Sequence, residues 1–140
     1  MKLFVDTWGW VKLNNKRSHH YGNVEKFYHK FLQKRGWIYT TDYVLDETIT
    51  LFFQRLPYSL ADESLRLIEQ SISANVILLE QITAERFEKA KEFRRRYKDK
   101  SRISFTDLTS MVVMSELGIT QVLTEDDHFI QVGLGFIKVP

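Results

Sequence analysis

The chain has 140 residues, 44% of them hydrophobic and 27% charged, with 2 prolines and 6 glycines. That make-up fits one globular domain over residues 1–140 and excludes a linker-rich or low-complexity protein. The absence of cysteine excludes disulfides, thiolate catalysis and cysteine-rich zinc sites, and a net charge of +2 points only weakly toward nucleic acid.

Taken in chain order, short β-rich runs alternate with longer stretches of helical period, the pattern of a parallel α/β sheet. Strands are predicted at Lys2–Asp6, Trp37–Thr41, Val76–Leu79, Gln121–Thr124 and Phe136–Val139. Several are continuous apolar runs, as expected when helices cover both faces of a sheet. Tyr21, Val24, Phe27, Tyr28, Phe31 and Leu32 recur at helical spacing, with Gly36 as the expected C-terminal cap. A second helix is predicted from about Tyr43 to Leu56, stopping before Pro57, and a third, opened by Ser59, buries Leu65, Ile68 and Ile72. Thr83 caps a fourth with the stripe Phe87, Ala90, Phe93 and Tyr97. A fifth, Phe105–Leu117, is apolar almost all round and ends at Gly118, so it is expected to be the central buried helix. No stretch approaches the roughly 20 apolar residues of a membrane span. The first apolar run is interrupted at Asp6, so no signal peptide and a cytoplasmic location are expected.

Four acids stand out because of where they fall among these elements. Asp6 ends the first strand, and ligands in open α/β sheets bind at the carboxyl ends of strands; the competing role is to cap a short helix starting near Trp8. At about 100° per residue, Glu47 borders the buried stripe Val44, Leu45, Thr48, Ile49, Leu51 and Phe52, whereas Asp46 points away from it. Asp107 stands in Ser104-Phe105-Thr106-Asp107, which resembles a capping box whose carboxylate bonds back to the Ser104 amide. Asp126 follows the fourth strand in Thr124-Glu125-Asp126-Asp127-His128-Phe129, where Glu125 and Asp127 are alternatives. Thr7 and Thr124 place hydroxyls at strand ends, where they can support ligating carboxylates, and Asp127 is a third candidate for such a supporting role.

These acids could converge at one end of a parallel sheet, where unpaired buried carboxylates would be costly without a cation. The histidines His19, His20, His29 and His128 form no His-x-x-x-His pair, so zinc is poorly supported, and hard oxygen ligands favour Mg²⁺ or Mn²⁺. Four acids suit one ion held partly through water, or two ions held directly. Such a site suits metal-assisted phosphodiester cleavage. Basic residues at Arg94, Arg95, Arg96, Lys98, Lys100 and Arg102 could then hold a phosphate backbone, with a second group at Lys12, Lys16, Arg17, Lys26 and Lys30. Either run alone is equally well read as a solvated helix face.

Phe4-Val5-Asp6-Thr7, Thr41-Asp42-Tyr43-Val44-Leu45-Asp46-Glu47-Thr48, Ser104-Phe105-Thr106-Asp107 and Leu123-Thr124-Glu125-Asp126-Asp127-His128-Phe129 together resemble the PIN-domain family of nucleases. The likeness spans essentially the whole chain and is closest to the toxin subunits of VapBC-type toxin–antitoxin modules. The resemblance implies a three-layer α/β/α fold around a mostly parallel sheet of about five strands. It implies Asp6, Glu47, Asp107 and Asp126 as the acidic quartet, with Asp6 and Asp107 as the foremost metal ligands. It also implies Mg²⁺ or Mn²⁺, hydrolysis of RNA by activated water, a homodimer, and an antitoxin partner that blocks the site. The extra acids Glu125 and Asp127 depart from the family pattern, where an aromatic and a basic or neutral residue are common.

Rival readings fit less well. A haloacid-dehalogenase-type phosphatase needs a second aspartate at the position of Trp8. A receiver domain needs an acceptor aspartate after the third strand, where the chain has Leu79-Glu80. A PIN-like module that binds RNA or protein without cutting would gain nothing from four clustered carboxylates. A housekeeping PIN nuclease without an antitoxin is the remaining alternative.

Overall fold

The computed structural model describes residues Met1–Pro140. Its centre is β1 (Lys2–Val5), in which Leu3, Phe4 and Val5 are all fully buried. Successive strand side chains face opposite sides, so both faces of β1 are covered. Between β1 and β2 (Trp37–Thr41) lie α1 (Thr7–Leu13) and α2 (Tyr21–Gln33). α3 (Asp42–Arg55) and α4 (Tyr58–Ser73) lead to β3 (Ile77–Glu80). α5 (Ala84–Arg96) and α6 (Phe105–Leu117) lead to β4 (Gln121–Leu123), and α7 (His128–Gln131) precedes β5 (Ile137–Val139). The five strands pair in parallel in the order β3-β2-β1-β4-β5, with Phe4 beside Tyr39 on one side and Val122 on the other. The result is the expected three-layer α/β/α arrangement. In α6, every residue from Asp107 to Met114 is buried, which explains its lack of a polar face.

Helix ends depart from the sequence reading in instructive ways. The left-handed residue after α2 is Arg35 (φ 59°), not Gly36. Arg35 N–H donates to Leu32 O and Gly36 N–H to Phe31 O, the paired bonds of a Schellman end. Gly36 is needed for space, since a Cβ there would clash with the Cδ1–Cε1 edge of the Phe31 ring. Pro57, rather than Ser59, occupies the N-cap position of α4, with its carbonyl accepting the first amide bonds of the helix. Val76 completes the corresponding Schellman bonds around Asn75 (φ 59°), which moves the start of β3 to Ile77. Thr83 and Ser104 cap α5 and α6 with their hydroxyls, and Thr41 caps α3 in the same way.

α1 sits unusually close to the sheet. A Cβ on Gly9 would fall 2.8 Å from Val5 Cγ1 and 2.9 Å from the Leu123 carbonyl, so only glycine permits this approach. A buried relay secures the same helix: Trp10 Nε1 donates to Thr40 Oγ1, which donates to the Val5 carbonyl, each at 3.1 Å.

Candidate functional site

Strand order reverses between β1 and β4: from β1 the chain continues through β2 and β3 on one side, while β4 and β5 lie on the other. Such a switch point leaves a crevice beyond the carboxyl ends of the two central strands. Asp6 and the segment Thr124–Asp126 emerge there side by side, and Asp6 N–H donates to the Leu123 carbonyl at 3.2 Å.

Asp6 occupies the N-cap position of α1, but its side chain makes no capping bond. Its Oδ2 instead accepts from the buried Thr124 hydroxyl at 3.0 Å. Burial, reinforced by the charges of Glu47 and Asp126, pushes the Asp6 carboxyl up to about 6, against the pull of the Thr7 amide and the Thr124 hydroxyl. The Thr124 oxygen also accepts from Asp126 N–H at 3.1 Å, so one hydroxyl ties two of the acids together.

Asp107 forms half of the anticipated capping box. Its N–H donates to Ser104 Oγ at 3.0 Å, but no return bond reaches the Ser104 amide. An aspartate is one methylene shorter than the usual glutamate, and its carboxylate turns toward the crevice, with Oδ2 lying 3.5 Å from His128 Nδ1. Burial and then the charges of Asp6 and Asp126 push this carboxyl up to about 8.

Glu47 lies on an exposed part of α3, yet its Oε2 accepts from Thr7 Oγ1 at 3.3 Å. Asp46 is also exposed, and its side chain joins no such contact. Helix phase therefore turns Glu47, not Asp46, toward the cluster. Of the three consecutive acids, Asp126 is the one turned inward: its Oδ1 accepts from His128 N–H at 2.9 Å and lies 3.1 Å from His128 Nδ1. Asp127 is exposed and bonds Lys138 Nζ at 2.6 Å, so it does not support the cluster. Glu125 is likewise exposed, with its carbonyl accepting from Lys138.

Among the ion pairs of the chain, no lysine or arginine partners Asp6, Glu47, Asp107 or Asp126; only His128 approaches two of them. That histidine was missed as a site residue because it forms no spacing motif with another histidine. Its one signal was its place two residues after Asp126. Oxygen donors from several carboxylates, converging without a protein cation, make a donor set suited to a hard divalent ion.

The basic run divides by role. Arg94 does not face solvent as a phosphate contact. Its guanidinium donates to the carbonyls of Tyr97 (2.9 Å), Lys100 (2.7 Å) and Ile103 (2.6 Å), holding the connection from α5 to α6. Arg96 lies over the Phe93 ring, and Lys100 pairs with Asp99. Arg95, Lys98 and Arg102 are exposed and make no ion pair. In the second group, Lys16 and Arg17 border a cavity of about 550 Å³ with Arg55 and Leu67, which none of the four acids lines.

A model of the PIN domain matches residues 3–134 of the chain. Among solved structures, it is similar to VapC20 of Mycobacterium tuberculosis, a sarcin–ricin loop cleaving toxin, at 30% identity with a TM-score of 0.79, covering 96% of each chain. It also resembles VapBC2 of Rickettsia felis, solved bound to a promoter DNA fragment, at 17% identity with a TM-score of 0.73, covering 99% of this chain and 97% of that one. VapBC-1 of nontypeable Haemophilus influenzae is similar at 15% identity with a TM-score of 0.67, covering 99% and 96%. These last two likenesses speak for the fold alone. No curated protein sequence matches the chain.

Proposed function

The chain belongs to the PIN-domain family, and on that premise we propose that it is a divalent-metal-dependent endoribonuclease, the toxin of a VapBC-type module. The observation that carries this reading is the group of four acids at the β1/β4 switch point, two of them buried, none with a lysine or arginine against it. A structural role would leave such charges uncompensated, and burial without a partner is strongly unfavourable. Similarity to a toxin that cleaves the sarcin–ricin loop supports RNA as the substrate.

Asp6 and Asp107 would hold Mg²⁺, or Mn²⁺ in its place, with Asp126 and Glu47 completing the acidic quartet. When bound, the ion supplies Lewis acidity and lowers the pKa of a coordinated water. Thr124 fixes the rotamer of Asp6 through its 3.0 Å bond, and Thr7 draws Glu47 toward the cluster. Both buried carboxyls must shed their protons to act as ligands, so affinity for the ion rises with pH across the range in which they titrate. Exposed Arg95, Lys98 and Arg102 supply positive charge for the phosphate backbone, which otherwise meets a negative cleft. Hydrolysis by water in line with the departing 3′-oxygen leaves a 5′-phosphate and a 3′-hydroxyl, with no covalent enzyme intermediate. A cognate antitoxin and a homodimer belong to the same proposal; similarity to the VapC20 toxin supports the partner.

The test is RNA cleavage by purified protein in Mg²⁺, with and without EDTA, followed by chemical identification of the new ends. Cleavage that vanishes in EDTA, returns with Mg²⁺, is lost in Asp6→Asn and yields 5′-phosphates supports the proposal. Cyclic 2′,3′-phosphate ends would refute the mechanism. RNA binding that persists in EDTA without any cleavage would make the chain a binding module instead.

A further inference from the structure

His128 is the one nitrogen donor in the cluster, and its geometry is hard to account for without a cation. Nδ1 is buried and makes no hydrogen bond, although it lies 3.1 Å from Asp126 Oδ1 and 3.5 Å from Asp107 Oδ2. A protonated ring acting as counter-ion would align its N–H on one carboxylate oxygen, and it aligns on neither. With both carboxyls ionised, as metal binding requires, a neutral ring with a bare Nδ1 would set its lone pair against those of two carboxylates. Both difficulties disappear if the three atoms share a positive centre.

The spacings match that arrangement. Two ligands each about 2.1 Å from an ion are separated by roughly 3.0 Å at an octahedral right angle and roughly 3.4 Å at a tetrahedral one. The two contacts of Nδ1 fall at these values, and donor atoms of Asp107, Asp126 and His128 all lie within 4.8 Å of one another. The residue is also held in place: the His128 backbone N–H donates to Asp126 Oδ1, and the next residue, Phe129, is fully buried and packs edge-on against Phe136.

We propose that His128 binds the divalent ion through Nδ1, alongside Asp107 and Asp126, and that this mixed carboxylate–imidazole site prefers Mn²⁺ to Mg²⁺. The proposal rests on the metal-dependent reading above and adds a ligand and a selectivity to it. Imidazole nitrogen is accepted by first-row transition ions, Mn²⁺ being the weakest binder among them, more readily than by Mg²⁺, which keeps hard oxygen donors and gives up water reluctantly. Loss of the nitrogen therefore weakens Mn²⁺ and leaves Mg²⁺ nearly unchanged.

The experiment uses tag-free, metal-free protein loaded with one equivalent of Mn²⁺ and examined by pulsed electron paramagnetic resonance for modulation from a directly bonded ¹⁴N nucleus. The wild type should show it, and a folded His128→Gln variant should not. By calorimetry, His128→Gln should weaken Mn²⁺ binding about 10-fold or more and change Mg²⁺ binding by about 2-fold at most. Mn²⁺ bound by the wild type without nitrogen modulation, or modulation that persists in His128→Gln, overturns the proposal and leaves an all-oxygen metal site intact. Failure of the wild type to bind either ion overturns this proposal and the metal-dependent function together.

Discussion

Replacing Asp107 with asparagine should stabilise the metal-free protein at pH 8 while removing its response to divalent ions. In the folded chain this carboxyl is pushed up to about 8 from 3.8, burial being the largest cause. Over that interval the folded protein keeps a proton that the unfolded chain has released. A raised folded-state value contributes stability that is complete below 3.8 and is lost as pH climbs through about 8. Each pH unit of the interval is worth about 1.4 kcal/mol, which sets a ceiling on the order of 5 kcal/mol. The side chain is 11% exposed and shares its repulsion with Asp6, so water access and relief by its neighbour reduce the expected gain to roughly 1–3 kcal/mol. Asparagine keeps the amide bond to Ser104 and the shape of the side chain without the charge. Thermal unfolding in EDTA should therefore show the variant melting roughly 3–9 °C above wild type at pH 8 and only about a third of that, roughly 1–3 °C, above it at pH 5. Adding Mg²⁺ at about 100 times its dissociation constant should raise wild-type stability by about 2.7 kcal/mol and leave the variant unmoved. If the variant is destabilised equally at both pH values, Asp107 is an ordinary structural carboxylate and the reasoning fails.

Thr124→Val keeps the volume but removes the donor that holds the Asp6 carboxylate down. The Asp6 value then rises further, and the pH at which Mg²⁺ binding is half-complete should move up by about one unit, measured by calorimetry across pH. An unchanged midpoint would show that the hydroxyl does not support Asp6. Arg94→Gln should lower stability by about 2–3 kcal/mol in urea unfolding, because three backbone carbonyls lose a charged donor, while RNA affinity corrected for folding stays constant. Neutralising Arg95, Lys98 and Arg102 together should do the reverse, leaving stability unchanged and reducing the salt dependence of RNA binding by roughly 2 in logarithmic slope. Gly9→Ala forces a methyl against the Leu123 carbonyl and should destabilise by about 1–3 kcal/mol; a neutral result would mean that α1 can lift from the sheet.

The sheet was legible because β1 and β4 are continuous apolar runs with an acid or hydroxyl directly after them, and α6 because its apolar residues leave no polar stripe. Helix phase alone separated Glu47 from Asp46. What stayed hidden depends on contacts between residues distant in sequence or on local backbone geometry. A run of arginines looks uniformly like surface until the 97–103 connection folds back beneath one of them, and nothing in the run marks Arg94 as that residue. Asp126 and Asp127 are chemically the same; the His128 amide holds Asp126 inward, while Lys138, brought in on β5, draws Asp127 outward. Gly36 invited the left-handed position that Arg35 takes, because the demand on Gly36 comes from the Phe31 ring and not from its own dihedral angles.

The strand order also sets when the cluster can exist. β1 is made first, yet its neighbour on the acidic side is β4, with the whole run of helices α1 to α6 synthesised between them. Pairing of that span is the kind of long-range closure that comes late in folding. A nascent chain that has reached α6 carries Asp6, Glu47 and Asp107 but lacks the strand that supplies Thr124 and Asp126. The complete cluster is therefore absent from every growing intermediate shorter than about the first 128 residues.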